Sequence, residues 1–541
     1  MKKHLFMSVL GMLISVLSFA QTITVTDEAT LQPINGVYIY AKTSTVLTNS
    51  KGQADLTSFS KTDSLWFSHV GYKLKSYSYK QLEALQFKVA MSEVAFAIDE
   101  VIVSASRFEE SSKDVAQPVK VLKAAELQFM NQQTMADVMQ SSGQVLVQKS
   151  QLGGGSPIIR GFETNKVLMV VDGVRMNNAI YRGGHLQNII TLDNTIMDKV
   201  EIVFGPGSVV YGSDALGGVM HFYTRNPLLN DGDGIRTEVQ AFTRYSTAYN
   251  EKTGHVNFNI AGKRFGSLTS FTYSDFGDLR QGNVRNPFYG DWGKRTFYAA
   301  RVDGKDSMMV NENHNIQKVS GYKQYDILQK FMFQQNERVS HILNLQFSTS
   351  SDVPRYDRLT QVSGGLPRFA EWYYGPQERL FASYTLNLSG QTKLYDNARV
   401  IAGFQQIEES RNDRRFNNDK RNSRVENLNI FTFNADFAKK MNKHELRYGV
   451  DAWYNDVQST ASSENIVTGE ISAIDTRYPD GGSSMQSVSA YLTHSWEISE
   501  KLILNDGLRA SNISLNAQFN DTTFFPFPFS SVDQNNTALN G

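Results

Sequence analysis

Residues 156–226 read SPIIRGFETNKVLMVVDGVRMNNAIYRGGHLQNIITLDNTIMDKVEIVFGPGSVVYGSDALGGVMHFYTRN. Two β-prone runs in this stretch, 167–171 and 200–204, each lead into a glycine-containing turn, and a third run, 219–224, follows two glycines. Glycine serves where the backbone needs a positive φ or passes close to another element, so this density predicts a small sheet packed on several sides. A soluble mini-domain and a plug held inside a larger structure are both compatible with it.

The N-terminus predicts export. Lys2 and Lys3 precede an apolar run at residues 5–17 and a small-residue cleavage site that ends at Ala20, which is the pattern of a signal peptide. The chain contains no cysteine, so no disulfide or thiolate site is expected in the exported protein. Its formal net charge is zero, which gives no support for a nucleic-acid partner.

Residues 22–91 alternate apolar and polar positions between turn signals, which predicts a small β-sandwich. The segment resembles the carboxypeptidase-regulatory-like domain through Asp27 and residues 33–37, 48–52 and 69–72. That family name does not imply peptidase activity. His69 is either a structural histidine or a ligand, and no His-Glu zinc pair at helical spacing occurs here.

A short β-branched segment, residues 98–107 (IDEVIVSASR), lies between two predicted folded parts. It is either an edge strand of the preceding sandwich or an unpaired segment to which a partner adds a strand. The segment resembles the TonB box of outer-membrane receptors. This resemblance implies that TonB binds Asp99, Glu100, Val101, Ile102, Val103 and Ser104.

The residues that follow predict short helices at 124–127 and 135–139, the second capped by Thr134, and a strand at 145–147. Together with the opening stretch they resemble the TonB-dependent receptor plug. The motif residues that carry the resemblance are Arg160, Gly161, Asp172, Gly173, Gly205, Pro206, Tyr211, Gly212, Gly217 and Gly218. The sequence departs from the family at Phe204, where an arginine is usual, so a contact of that side chain with the barrel wall is in doubt. The glycines lack the spacing of a nucleotide-binding loop.

From residue 234 onward, segments of about ten residues alternate in hydrophobicity, as transmembrane β-strands do. Short joins alternate with longer connections, which we expect to be periplasmic turns and outer loops respectively. The outer loops are expected at residues 246–254, 278–321, 350–377, 408–424 and 460–484. About eleven strands are expected, whereas plugged transporters have about 22. Because a half barrel would leave an unpaired edge in lipid, we expect this sequence to be a truncated product.

The fold class predicted is mainly β, with an N-terminal β-sandwich, an α+β plug and a partial transmembrane antiparallel barrel of about 11 of 22 strands. The predicted segments are a signal peptide (1–20), the sandwich (21–95), the TonB-box linker (96–110), the plug (111–228) and the barrel (229–541).

The resemblance implies TonB-dependent import of a scarce nutrient of the iron-siderophore, haem or cobalamin type across the bacterial outer membrane. No enzyme activity is expected of such an importer. No cofactor is expected either, because haem or a ferric chelate would be the transported cargo. The implied partners are the TonB energy-transducing complex, a small-molecule ligand and outer-membrane lipid. A glycan importer of the same superfamily and a passive barrel channel or adhesin stay open as alternatives.

Five residues are candidates for ligand contact. Tyr181, Arg182 and His185 lie in the loop between the two plug strands, and His255 and His314 lie in or beside expected outer loops. Imidazole suits iron, so His185 is a candidate axial ligand of haem, with His255 or His314 as the second. Ordinary polar loop residues are the alternative interpretation.

Overall fold

The structure is a computed structural model that describes residues 21–28, 30–41, 44–61, 63–69, 72–92, 101–102, 106–111, 115–181, 189–499 and 501–541. The predicted signal peptide lies outside these residues. Within them, no helix has both the length and the apolar character that crossing a bilayer requires. The chain divides into two compact units, Met1–Glu100 and Val101–Gly541.

The first unit contains two sheets around one core. Its strands are β1 (Thr22–Asp27), β2 (Tyr38–Tyr40), β3 (Thr45–Leu47), β4 (Gln53–Asp55), β5 (Ser64–Ser68), β6 (Lys75–Ser78) and β7 (Lys88–Met91), with helix α1 (Tyr79–Ala84). The sheet orders are β4-β1-β7 and β3-β2-β5-β6. Val25 of the first sheet and Ile39 and Phe67 of the second belong to one buried cluster, as in the predicted sandwich. Its resemblance to the carboxypeptidase-regulatory-like domain stays a prediction.

The second unit begins with the predicted plug and the segment that leads into it. The strands are β8 (Val101–Ile102), β9 (Glu110–Ser111), β10 (Val119–Lys123), β11 (Leu146–Gln148), β12 (Ser156–Ile159), β13 (Phe162–Glu163), β14 (Val167–Val171), β15 (Val174–Arg175), β16 (Met197–Phe204) and β17 (Gly218–Thr224). The helices are α2 (Ala124–Met130), α3 (Met135–Ser141) and α4 (Ser208–Tyr211), with 3-10 turns at Thr164–Lys166 and Ser213–Ala215.

The plug is built on a five-stranded sheet of order β10-β16-β17-β14-β15, beside a smaller sheet of order β11-β12-β13. All five residues of β14 are buried because the sheet is covered on both faces. On one face Met169 packs in a cluster with Leu127 and Met139 of the helices, and on the other Leu168 packs with Val210 and Ala215. The Thr134 hydroxyl caps α3 by accepting a hydrogen bond from the Asp137 N–H, as predicted.

The rest of the unit is one large antiparallel sheet, here called the wall sheet. Its path consists of β18 (Arg236–Ser246), β19 (Glu251–Ala261), β20 (Phe265–Phe276), β23 (Tyr322–Asn336), β24 (Val339–Ser350), β29 (Glu378–Ser389), β30 (Asn397–Arg415), β31 (Lys420–Met441), β32 (His444–Asn465), β34 (Ser483–Ser499), β35 (Leu502–Gln518) and β36 (Ser531–Asn540). Each strand pairs with the next along the path. The expected number was about eleven, and the additional strand is β36, which pairs with β35 from Ser531 to Asn540.

The connections between wall strands carry smaller elements. These are β21 (Phe297–Val302), β22 (Lys305–Val310), β25 (Val353–Pro354), α5 (Tyr356–Leu359), β26 (Val362–Ser363), β27 (Leu366–Pro367), β28 (Phe369–Tyr374), β33 (Ile471–Ala473) and a 3-10 turn at Pro287–Tyr289.

The wall sheet buries its polar face and exposes its apolar face. In β24, Asn344 is 2% exposed, whereas its neighbours Leu343 and Leu345 are 40% and 37% exposed. In β32, Asp451 is buried and Val450 is 45% exposed. The polar side chains face the plug, so the opposite face needs an apolar surrounding. This is the arrangement of a sheet with lipid on its outside rather than that of a soluble sandwich.

Two expected loops are wrong. Residues 408–424 are mostly strand, because β30 runs to Arg415 and β31 begins at Lys420, and the first outer connection shrinks to residues 247–250. β30, β31 and β32 are 19, 22 and 22 residues long, well beyond the roughly ten needed to cross a bilayer. Their outer ends carry polar residues on both faces, so the hydrophobic alternation disappears although the hydrogen-bonded ladder continues.

Candidate functional site

The Asp172-Gly173 turn is where the plug is tied most closely to the wall sheet. The Asp172 carboxylate accepts hydrogen bonds from the backbone N–H of Thr224 (3.0 Å) and from Nδ2 of Asn344 (2.8 Å). Its Oδ2 also lies 3.2 Å from Nζ of Lys330, a side chain that is almost completely buried. Lys330 in turn donates to the carbonyl of Thr224 at 3.1 Å. The Lys330 ammonium of the wall sheet therefore holds the ends of two neighbouring plug strands, β14 and β17.

Gly173 follows at a φ of 86°, a conformation that L side chains rarely adopt. A Cβ at this position would lie 2.5 Å from Cδ1 of Ile401 on the wall sheet. Its N–H donates to Nε2 of His221 at 3.0 Å. Burial lowers the pKa of His221 well below its usual range, so the ring is neutral and keeps that acceptor.

We expect Gly173→Ala to weaken the contact between plug and wall sheet by about 3 kcal/mol, of which about 1–2 kcal/mol is the backbone penalty. The remainder comes from displacing Ile401, which is buried against Val174 and Phe381. The measurement is the denaturant midpoint of the complete receptor. Gly304→Ala is the control, because Gly304 also has a positive φ but no atom lies within 4 Å of a Cβ there. Equal shifts for both variants would contradict the contact.

Arg107 joins the end of the predicted TonB-box linker to the wall sheet. Its Nη1 donates to Oδ1 of Asp436 at 2.9 Å, and its Nη2 lies 3.7 Å from Oδ2 of Asp451. The guanidinium lies over the rings of Tyr211 and Tyr491, at 4.8 and 5.2 Å from their centroids. A buried charge is stable only with such compensation, so this part of the linker is docked rather than free.

Arg447 of the wall sheet binds the same segment a few residues later, with its Nη2 2.9 Å from Oε2 of Glu110. The adjoining β8 pairs with β9, placing Val101 opposite Ser111 and Ile102 opposite Glu110. The other residues predicted to bind TonB, namely Asp99, Glu100, Val103 and Ser104, lie outside the described residues. Their TonB-binding role stays a prediction.

Two of the motif glycines, Gly217 and Gly218, occupy tight points of the plug. A Cβ on Gly217 would lie 2.3 Å from Cβ of Phe162, and one on Gly218 would lie 2.5 Å from the carbonyl of Val203. Arg160 and Gly161 form the turn between β12 and β13, both with positive φ. Gly205 and Pro206 follow β16. Tyr211 is the last residue of α4 and lies next to Arg107, and Gly212 follows it next to Arg509.

Phe204 has a structural role that the sequence left unexplained. Its side chain is buried in the main hydrophobic cluster of the plug together with Ile159 and Phe222. The guanidinium of Arg160 lies 5.3 Å from its ring centroid, within reach of a cation–π interaction. Phe204 therefore packs within the core of the plug.

The structure describes three of the candidate ligand residues, Tyr181, His255 and His314, and these lie in different elements of the fold. Tyr181 packs at the edge of the plug core, where burial raises the pKa of its hydroxyl. His314 is exposed in the connection after β22, and its carbonyl accepts a hydrogen bond from the Arg295 N–H. Arg182 and His185 lie outside the described residues. Across the described part of the chain, no group of three or more His, Cys, Asp or Glu side chains is placed to hold a metal ion.

His255 lies within β19, buried against the plug, rather than in or beside an outer loop. Its Nδ1 is 2.8 Å from the hydroxyls of Thr195 and Thr272, and its Nε2 is 2.8 Å from Nδ2 of Asn257. Both ring nitrogens thus have partners in the contact between plug and wall sheet. Its role as a haem ligand stays a prediction.

Comparison with known protein families identifies the inner domain. Residues 111–219 match the family model described as TonB-dependent Receptor Plug Domain. This region is a TonB-dependent receptor plug. The match covers the Asp172-Gly173 turn, Phe204 and all the motif glycines of the plug.

Two curated relatives match part of the chain. The Vitamin B12 transporter BtuB of Vibrio vulnificus (strain CMCP6) is 35% identical over 172 residues, which is 30% of this chain and 27% of that protein. The Hemin receptor of Yersinia pestis is 32% identical over 197 residues, which is 35% of this chain and 27% of that protein. The matched region therefore spans less than a third of either relative's length.

Solved structures share the fold of plug and wall sheet. The Copper transporter OprC superposes with a TM-score of 0.59 at 12% identity, covering 78% of this chain and 59% of that one. The unliganded ferric citrate transporter FecA superposes with a TM-score of 0.55 at 15% identity, covering 79% and 60%. At this level of identity the likeness concerns the fold.

Sequence reasoning missed the charged residues that hold the plug to the wall sheet. These are Arg107, Lys330, Asp436, Asp451 and Arg509. A signal was present for four of them, since each places a charge within a wall strand on the face opposite the apolar one. These four are Lys330, Asp436, Asp451 and Arg509. Which plug residue each charge meets cannot be read from the strand itself, because Arg107 and Asp436 are 329 residues apart.

Proposed function

We propose that this chain belongs to an energised importer that carries a scarce nutrient across the bacterial outer membrane. The observation that carries the proposal is the plug seated on the polar face of the wall sheet, while the apolar face of that sheet is exposed. A plug of this kind prevents free diffusion, so transport requires that part of it moves. The relatives named for vitamin B12 and hemin support this proposal.

In the proposed mechanism the ligand binds on the outer side, and the TonB energy-transducing complex then adds a strand to residues 99–104. Pulling on this strand acts first on the two-residue ladder of β8 and β9 and then on Arg107. Local elements of low stability yield before the whole fold does, so a limited part of the plug moves. The proposed role is transport without catalysis or a resident cofactor, and the transported compound is cargo.

The cargo class we propose is an iron-siderophore, haem or cobalamin type of compound. A complete gene deletion is the direct test, with growth measured on defined iron, haem, cobalamin and glycan sources in turn. Loss of growth on one of the first three supports the proposal. Loss of growth only on a glycan would instead support a glycan importer, and unchanged growth on every source would contradict import as the function.

Haem is the specific candidate, because the relative from Yersinia pestis is named a hemin receptor and His185 lies in the loop between the plug strands. We expect His185→Ala in the complete receptor to weaken haem binding by about 10- to 100-fold, the range found when a metal site loses part of its ligand support. A haem absorbance titration measures it. The control is His341→Ala, because His341 is a histidine of β24 that is not a candidate ligand. An unaltered titration for His185→Ala would exclude the ligand role.

A further inference from the structure

A small cavity lies where the linker, the plug and the wall sheet meet. Its lining includes Arg107 of the linker, Tyr211 and His221 of the plug, and Arg399 and Thr432 of the wall sheet. The space measures about 40 Å³, which is enough for a few water molecules or one monatomic ion. It is too small for a haem, a cobalamin or an iron chelate, so its occupant is not the cargo.

Three buried hydrogen-bond donors of this lining are left over. They are Nε of Arg107, the hydroxyl of Tyr211 and Nδ1 of His221, and within the described part of the chain none of them has an acceptor. Tyr211 and His221 are only 6% and 4% exposed. A buried donor without an acceptor is costly, so three such donors around one small space indicate an occupant that accepts from them.

The neighbours of His221 make its Nδ1 a donor. Its Nε2 accepts the hydrogen bond from the Gly173 N–H at 3.0 Å, so the single proton of the neutral ring is on Nδ1. The ring of Tyr223 stacks on the imidazole, with 3.9 Å between the two centroids, and holds its orientation. The imidazole therefore needs an acceptor on the side of Nδ1.

The cavity also carries one surplus positive charge. Three ion pairs neutralise the other charged side chains of the lining, namely Asp436 with Arg107, Asp451 with Arg509 and Arg175 with Asp214. Arg399 instead donates to neutral acceptors, one of which is the carbonyl of Arg107 at 3.3 Å. A small occupant with a negative charge would balance the Arg399 guanidinium.

We propose that this cavity binds one monatomic anion, a halide such as chloride, which accepts hydrogen bonds from Arg107, Tyr211 and His221 beside the charge of Arg399. A halide only accepts hydrogen bonds, so it can satisfy several donors at once. A water molecule would add two more protons to a lining that already has too many donors. The anion joins the linker, the plug and the wall sheet, and its binding therefore stabilises the seating of the plug. This site goes beyond the import function proposed above and does not depend on it.

Bromide is the probe for locating the site, because it has the chemistry of chloride and can be identified by its anomalous scattering. In crystals of the complete receptor grown in sodium bromide, we expect an anomalous peak in the cavity. The peak should lie within hydrogen-bond distance of the Tyr211 hydroxyl and of Nδ1 of His221. Density for water alone at this position, without an anomalous peak, would overturn the proposal.

Binding in solution is measured by urea unfolding of the complete receptor in detergent, without other halides. Bromide should raise the urea midpoint, because a ligand that binds only the folded state stabilises it. Sodium gluconate at equal concentration is the reference, since its anion is too large for a space of about 40 Å³. We expect Tyr211→Phe to raise the fitted dissociation constant for bromide at least about tenfold, because it removes one hydrogen bond to a charged group and keeps the ring. In gluconate the same variant should not lower the midpoint, because the hydroxyl then lacks an acceptor.

Tyr322→Phe is the matched control. The Tyr322 hydroxyl is also buried without a partner among the described residues, but this side chain packs in a different cluster, with Leu152 and Phe276. Its substitution should have the same effect in bromide and in gluconate. A midpoint that responds equally to the two salts, or a dissociation constant that rises equally in the two variants, would overturn the proposal.

Discussion

Asp172→Ala is expected to destabilise the seating of the plug on the wall sheet by about 3–5 kcal/mol, the cost of leaving a buried charge without its partner. The Asp172 carboxylate lies 3.2 Å from Nζ of Lys330, whose side chain is 2% exposed. Removing the carboxylate also removes the acceptor for the Thr224 hydroxyl, at 2.6 Å, and for Nδ2 of Asn344. The ends of β14 and β17 should therefore lose their attachment to the wall sheet together.

Hydrogen exchange of the complete receptor measures this effect at β14 and β17. The double variant Asp172→Ala with Lys330→Met is the control, because it removes both charges and leaves neither one buried alone. We expect it to cost less than Asp172→Ala by itself. If the single and double variants exchange at the same rate, the ion pair does not hold the plug.

Arg414→Ala is expected to release two outer connections, at a local cost of about 3–5 kcal/mol. The Arg414 side chain is buried and donates from Nη1 and Nη2 to the two carboxylate oxygens of Asp306, at 2.8 and 2.9 Å. Its Nε donates to Oε1 of Glu371 at 2.8 Å. Asp306 lies on β22 and Glu371 on β28, so one guanidinium fastens two different connections to the end of β30.

Limited proteolysis of the connection between β20 and β23 checks this prediction. The control is Lys318→Ala, because the Lys318 side chain is 41% exposed and its Nζ lies 3.9 Å from Oδ2 of Asp278, so its loss should cost only about 0–1 kcal/mol. Cleavage at equal rates in the two variants would mean that Arg414 does not organise these connections.

The alternation of apolar and polar residues correctly predicted those wall strands that have one apolar face and one polar face. β24 is an example, because Leu343 and Leu345 alternate with buried Asn344. The same pattern failed at residues 408–415 of β30 and 420–424 of β31, where both faces are polar. There the strands are stabilised by ladder hydrogen bonds between partners such as Asn412 and Ser423, which leave no trace in hydrophobicity.

The candidate site was predicted in outline but not in its contacts. The Asp172-Gly173 turn was recognisable because Asp-Gly after a β-prone run favours a tight turn. Its partner Lys330 was not, because pairing depends on which wall strand faces the turn. Arg107 was assigned to a linker, since nothing near it in sequence shows that Asp436 and Asp451 compensate its charge. His255 was expected in or beside an outer loop because the length of the first outer connection was overestimated.

The measurement that tests the central claim most directly is uptake by the complete receptor lacking residues 99–104. The account predicts that uptake is lost while ligand binding at the cell surface is retained, because the plug then stays closed. Deletion of residues 93–97, which lie just before the segment that resembles the TonB box, is the control and should leave uptake measurable. Unchanged uptake without residues 99–104 would contradict an energised importer and favour a passive channel.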